Sequence, residues 1–185
     1  MATARFNMSV ICDRKFGKCR GESFHTAMKI LNSQLEFASL PSEHQDAFIG
    51  HAATKVCFLP GLEFYKFTDR GLFGAAGFAS PWWFGVRPLV PGDIGLDELF
   101  RRAGMRSVDP RDFARATAAV TKEWNAMTSL TLIRLLRPAY GLVGRCRHQQ
   151  YNTEPQLANV AWIGGAWQVY LPNLTPTDVT LFASA

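Results

Sequence analysis

Apolar positions recur at two periods along this chain, and the change from one to the other divides it. Phe24, Met28, Leu31 and Leu35 fall on one helical face and predict a helix from about Glu22 to Phe37. Pro41-Ser42 opens a second helix, with Ser42 and Gln45 at capping-box spacing ahead of Phe48 and Ile49. From Val56 the period shortens. Val56-Cys57-Phe58-Leu59 and the run Leu62 to Thr68, separated by Pro60-Gly61, read as two strands or one bent strand. In the second run Leu62, Phe64 and Lys66 share one side, while Glu63, Tyr65 and Phe67 share the other. A lysine on an otherwise apolar side either snorkels to an edge or meets an anion.

The loop Gly71 to Gly77 delivers the chain to Phe78-Ala79-Ser80-Pro81-Trp82-Trp83-Phe84, where Pro81 holds Ser80 extended. The two tryptophans are either core or a platform for a planar ring. A helical pattern returns from Asp93 to Ala103 through Leu96, Leu99 and Phe100. Asp109-Pro110 is a capped helix start, and Phe113, Ala116, Val120, Trp124 and Met127 mark one apolar stripe with Glu123 at its border. Thr131 to Leu136 predicts a strand, Arg137 to Gly141 a turn, and Val143 to Asn159 carries no pattern. Strands are expected at Val160–Ile163, Trp167–Leu171 and Val179–Phe182. In the second of these, Gly164-Gly165 leads in, Pro172 closes, and Gln168 stands mid-strand. That glutamine is either on the solvent side or aimed into a cleft.

Length and composition narrow the class. A chain of 185 residues with 48% hydrophobic and 19% charged residues fits one globular domain with a proper core. Of fourteen Phe, five Trp and four Tyr, many lie between Phe58 and Phe84 and supply a core or a stacking surface. The apolar run Met8 to Ile11 is too short for a secretory signal, and no stretch is long enough to span a bilayer; with cysteines that read as idle thiols of a reducing compartment, the expectation is a cytoplasmic protein or one delivered into a target-cell cytoplasm. Cys12, Cys19, Cys57 and Cys146, with His25 and His148, match no tight zinc spacing, and no metal is expected. His25, His44 and His51 read as surface or core residues. The net charge of +5 is uneven: ten Lys/Arg lie between Arg101 and Arg147, and none follows His148. Arg101, Arg102, Arg106 and Arg115 therefore admit a second class of reading, a non-enzymatic module for nucleic acid or an acidic protein.

The order of the pieces carries the sharper reading. A strand with Tyr65-Lys66-Phe67-Thr68, a Ser80-Pro81-Trp82-Trp83 strand and a late strand Gln168-Val169-Tyr170-Leu171-Pro172 follow one another around a helical middle. This order resembles the ADP-ribosyltransferase superfamily of bacterial toxins and effectors over roughly Leu59 to Phe182. That family has a basic residue or histidine on its first strand, a serine- or tyrosine-led strand on the pocket floor, and a glutamate or glutamine on a late strand. The resemblance implies an α+β fold with a split mixed or antiparallel sheet core over residues 56–185 and flanking helices. An N-terminal helical segment, residues 1–55, would pack on that core within a single compact domain. It implies NAD as substrate, with Lys66, Gln168 and Glu123 in catalytic roles and Tyr65, Lys66, Thr68, Ser80, Trp82 and Trp83 binding the dinucleotide. Ser80 would hold the late-strand residue in place. It further implies a macromolecular ADP-ribose acceptor and a cognate inhibitor or immunity protein.

Lys66 stands where the family has arginine or histidine, and Gln168 stands where most members have a carboxylate. A neutral amide cannot act as a general base. Either another acid helps, Glu123 or Glu63 by pattern, or the activity is NAD hydrolysis, or the fold is kept without chemistry.

Overall fold

The structure, a computed structural model, describes residues 29–69, 71–120, 124–150, 161–162 and 164–184. Nine strands and three helices lie in it: α1 (Ser42–Asp46), β1 (Thr54–Phe58), β2 (Glu63–Thr68), β3 (Trp82–Gly85), α2 (Leu96–Met105) and α3 (Pro110–Ala118). These are followed by β4 (Ser129–Leu135), β5 (Ala139–Arg145), β6 (Gln149–Gln150), β7 (Ala161–Trp162), β8 (Trp167–Tyr170) and β9 (Val179–Ser184). Seven strands form one sheet in the order β1-β5-β8-β3-β2-β4-β9, and β6 pairs with β7 in a ribbon of its own. Every pairing is antiparallel, which makes this an α+β protein.

The short strand β3 changes partner half-way. Trp82 and Trp83 pair with Tyr170 and Val169 of β8, whereas Phe84 and Gly85 pair with Tyr65 and Phe64 of β2. The sheet is therefore divided at β3, and residues beyond the division on β2 and β8 are not paired to it.

Side-chain alternation sorts the core into three clusters. Val56, Phe58, Val143 and Val169 from one half meet Phe64, Ile133, Leu135 and Val179 from the other, around the fully buried Trp83. Tyr65, Phe67, Leu96, Leu99, Ala114 and Met127 form a second cluster, which seats α2 and α3 on β2. Leu40, Phe48, Leu142 and Tyr170 form a third, which seats the segment before β1 on β5 and β8.

Several elements depart from the pattern. The helix expected over 22–37 is absent from its described part, residues 29–37, and the remainder lies outside the described residues. Leu31 instead forms a parallel bridge to Ala139, and Asn32, at φ 58°, donates its amide to the carbonyls of Tyr140 and Pro172. Pairing with the sheet edge wins over helical periodicity there. Among the described residues before β1, 29–53, helix is confined to α1 and two single 3-10 turns, and the rest of that stretch is irregular chain. Ser42 does not cap α1; Pro41 takes that position, and Gln45 reaches back to the Leu40 carbonyl at 2.8 Å. Asp109 does cap α3, accepting the Arg111 N–H at 2.7 Å. The helix ends at Ala118 because Ala119 turns left-handed at φ 53°, so Val120, Trp124 and Met127 do not continue its stripe.

Strand β5 occupies a stretch read as turn and patternless chain. Its Ala-Tyr-Gly-Leu-Val-Gly-Arg sequence carries two glycines that serve close packing. A Cβ at Gly144 would lie 2.4 Å from Phe48 Cδ1, so this glycine makes the seat for the N-terminal segment.

Candidate functional site

The division of the sheet at β3 opens a cleft of about 360 Å³. Its wall from β2 carries Lys66, Phe67 and Thr68; Ser80, Trp82 and Phe84 come from β3 and the residues leading into it; Gln168 comes from β8. Glu43, His44 and Ala47 enter from α1 and the residue after it. Trp124, Asn125 and Met127 enter from the chain before β4, and Arg147 from the chain after β5.

Lys66 is 5% exposed, on the same face of β2 as Phe64. Its Nζ stands 4.2 Å from the centre of the Trp83 ring and donates to the Ser80 carbonyl at 3.4 Å. Among the described residues no carboxylate pairs with it. Burial lowers its pKa from 10.5 to about 8, since a desolvated ammonium is costly to keep charged. A cation held by one carbonyl and an indole face, beside a cleft, is set to receive an anion.

Gln168 is 7% exposed, so its burial excludes the solvent-side position. It is not held by Ser80. Its Nε2 donates to the Ala47 carbonyl at 3.1 Å, and the Arg147 N–H donates to the same carbonyl at 2.9 Å. Gln168 thereby ties β8 to the end of α1 with one of its two amide N–H groups, and its amide oxygen can act as an acceptor. The approach to β8 is a sharp turn, with Gly164 and Gly165 at φ 66° and 86°. A Cβ at Gly164 would lie 2.8 Å from the Cys146 carbonyl oxygen, so glycine is required there on both grounds.

Two of the residues expected to bind the dinucleotide lie elsewhere. Tyr65 is 2% exposed on the opposite face of β2, against Phe84 and Phe67 and the α2 cluster, and burial pushes its hydroxyl pKa up. Tyr65 is absent from the cleft lining because its side chain is taken up by that cluster. Trp83 is fully buried and reaches the site only as the surface beneath Lys66. Trp82, by contrast, lines the cleft and packs edge-on to His44 and Tyr170, with ring centres 5.5 and 5.0 Å away. Thr68 lines it as well. Glu123 lies outside the described residues. Glu63 is ion-paired to Arg134 at 2.6 Å and does not line the cleft.

No family model matches the chain, and no curated protein matches it. Among solved structures it is similar to one titled "Structure of Tne2 in complex with Tni2", at 12% identity and a TM-score of 0.39, over 71% of this chain and 88% of that one. A likeness this weak assigns neither fold nor function.

The cleft also gathers residues that strand patterns do not single out. Glu43 and His44 come from a segment read as the second helix, Arg147 from a stretch without pattern, and Trp124 from a presumed helix stripe. Trp124 is 59% exposed at the cleft, free of the core. The one available signal was the burial-prone Phe48 after α1, which forces the residues just before it against β8.

The arginines of the basic middle segment do not form an open cationic face. Arg101 and Arg102 both bond Glu98, at 2.6 and 2.7 Å. Arg106 lies against the Phe113 ring, and Arg115 is 4% exposed, donating to the carbonyls of Val120, Asn125 and Ala126. No group of three or more potential metal ligands occurs among the described residues, and no helix among them is long and apolar enough to cross a membrane.

Proposed function

We propose that this protein is an NAD-consuming enzyme of the ADP-ribosyltransferase kind, which breaks the nicotinamide–ribose bond and passes ADP-ribose to a macromolecular acceptor or to water. One observation carries the reading: Lys66, Ser80 and Gln168, far apart in sequence, line the same cleft together with Thr68 and Trp82. The division of the sheet at β3 supports reading it as the split core of that family.

The groups suit the parts of the dinucleotide. The Lys66 ammonium, with Arg147 also lining the cleft, offers positive charge to a pyrophosphate. Trp82 and Trp124 offer indole faces for planar rings. The Gln168 amide oxygen offers an acceptor for a ribose hydroxyl. Holding the ribose between a fixed cation and a fixed acceptor restricts it to few orientations, which is where a positioned bond cleavage gains its rate.

Purified full-length chain incubated with NAD is expected to release free nicotinamide. Lys66→Ala and Gln168→Ala are expected to lower that release by tenfold or more with the fold retained by circular dichroism. Unchanged release by both variants refutes the reading.

A further inference from the structure

Cleavage of the nicotinamide–ribose bond leaves positive charge on the ribose carbon and ring oxygen, and the acceptor must lose a proton. Neither task suits Gln168, which is uncharged and whose N–H is held by Ala47. The carboxylates of the described residues are otherwise placed. Glu63 bonds Arg134, Glu36 bonds Lys55, and Glu98 bonds Arg101 and Arg102. Asp178 bonds Arg137, and Asp93 accepts the N–H groups of Leu89 and Ile94. Of the carboxylates among the described residues, Glu43 is the one that lines the cleft.

Glu43 is itself exposed, but the short helix that carries it is anchored against the cleft. Glu43 lies on α1, whose far end is fixed by two hydrogen bonds into the Ala47 carbonyl, from Gln168 and from the Arg147 backbone. His44 beside it is wedged against Trp82 and Tyr170, and Phe48 is fully buried over Gly144. No cation among the described residues pairs with Glu43, as no carboxylate pairs with Lys66. A single cleft thus presents an unpaired negative group and an unpaired positive one. NAD has the matching distribution, a cationic pyridinium ring at one end of its ribose and an anionic pyrophosphate at the other.

We propose that Glu43 is the catalytic carboxylate of this cleft, resting on the NAD reading given above. The C–N bond between ribose and nicotinamide breaks, with its electron pair leaving on the ring nitrogen, and the Glu43 carboxylate faces the charge that develops on the ribose. With no macromolecular acceptor present, water forms the new C–O bond and gives its proton to Glu43, which returns it to solvent. The products are nicotinamide, ADP-ribose and one proton. Gln168 is then a positioning residue: it holds α1 and orients the ribose.

The test is NAD turnover and NAD binding by the full chain as wild type, Glu43→Gln and Glu43→Asp, with thermal melting as the check on folding. Glu43→Gln is expected to reduce turnover by about 100-fold or more, the range for loss of acid–base catalysis, while the NAD Kd stays within about threefold and the melting temperature is unchanged. Glu43→Asp retains part of the rate. If wild type turns over NAD and Glu43→Gln matches it, the assignment of Glu43 is overturned and the NAD reading stands. If folded wild type neither binds nor cleaves NAD, the reading of the cleft itself falls, and Glu43 with it.

Discussion

Replacing Lys66 with methionine is expected to make this protein more stable and inactive at once. The folded state holds the Lys66 ammonium at 5% exposure with no carboxylate beside it, and its pKa falls from 10.5 to about 8. At 1.36 kcal/mol per pH unit, keeping that charge in the folded protein at pH 7 costs about 3 kcal/mol. The Trp83 ring facing the ammonium offsets about 1 kcal/mol of that desolvation cost, and this attraction is lost with the charge. Methionine fills a similar volume with no charge. The net expectation is a gain of about 2 kcal/mol, which for a chain of this size raises the melting temperature by about 4–8 °C.

The sign of the pH dependence follows. Between about 8 and 10.5 the unfolded chain binds the proton that the folded chain releases, so wild-type stability rises across that window. Below about 8 the penalty is fully present, and above 10.5 it is gone. The advantage of Lys66→Met is therefore full at pH 7 and vanishes by about pH 10.5, as thermal melts of the two proteins at pH 7, 9 and 10.5 will show. A variant destabilised by 1 kcal/mol or more at pH 7 refutes the reasoning, because Lys66 is then part of the structure's support. The same variant should lose NAD binding, since a charge kept at a cost to folding is kept for a ligand.

Other expectations follow from the same contacts. NAD affinity should weaken as pH rises above about 8, where Lys66 discharges, and should stay level to pH 10 in Lys66→Arg, whose guanidinium stays charged; calorimetric titration across that range checks both. Gln168→Glu removes the N–H that holds the Ala47 carbonyl and sets a charge beside it, so urea unfolding should show a loss of about 1–3 kcal/mol, with no gain in nicotinamide release. Trp124→Ala should leave the melting temperature within a degree or two, because the ring is 59% exposed. It should also weaken NAD binding about tenfold, read as loss of tryptophan fluorescence quenching. Arg115→Met should destabilise by about 2–3 kcal/mol, because the carbonyls of Val120, Asn125 and Ala126 lose their donor, while a nucleic-acid-binding role predicts a folded variant with weakened binding.

The strands that frame the cleft were legible because their alternation is strong. Phe64 and Tyr65 diverge to opposite clusters as their positions require, and the Gly164-Gly165 turn into Trp167 is where glycine was needed. The misplaced elements share a cause. Leu31 and Asn32 obey long-range pairing to β5 and Pro172 over local helical spacing, and the glycines of β5 look like loop because their role is to admit Phe58 and Phe48. For the site, Lys66 and Gln168 stood out as polar residues in apolar strands. Tyr65 came with them only by sequence adjacency, and packing in the second core cluster takes it away from the cleft. Glu43 and His44 on a short helix, and Arg147 in the chain after β5, were not singled out for the site, since such residues show no sign of being folded over a cleft until the contacts of Phe48 and Ala47 are known.

The most direct measurement is mass-spectrometric detection of nicotinamide and ADP-ribose after incubating purified full-length protein with NAD, beside its Lys66→Ala variant. The account predicts both products from wild type and at least a tenfold drop from the variant. Equal yields from the two proteins, or none from folded wild type that also fails to bind NAD, would contradict it.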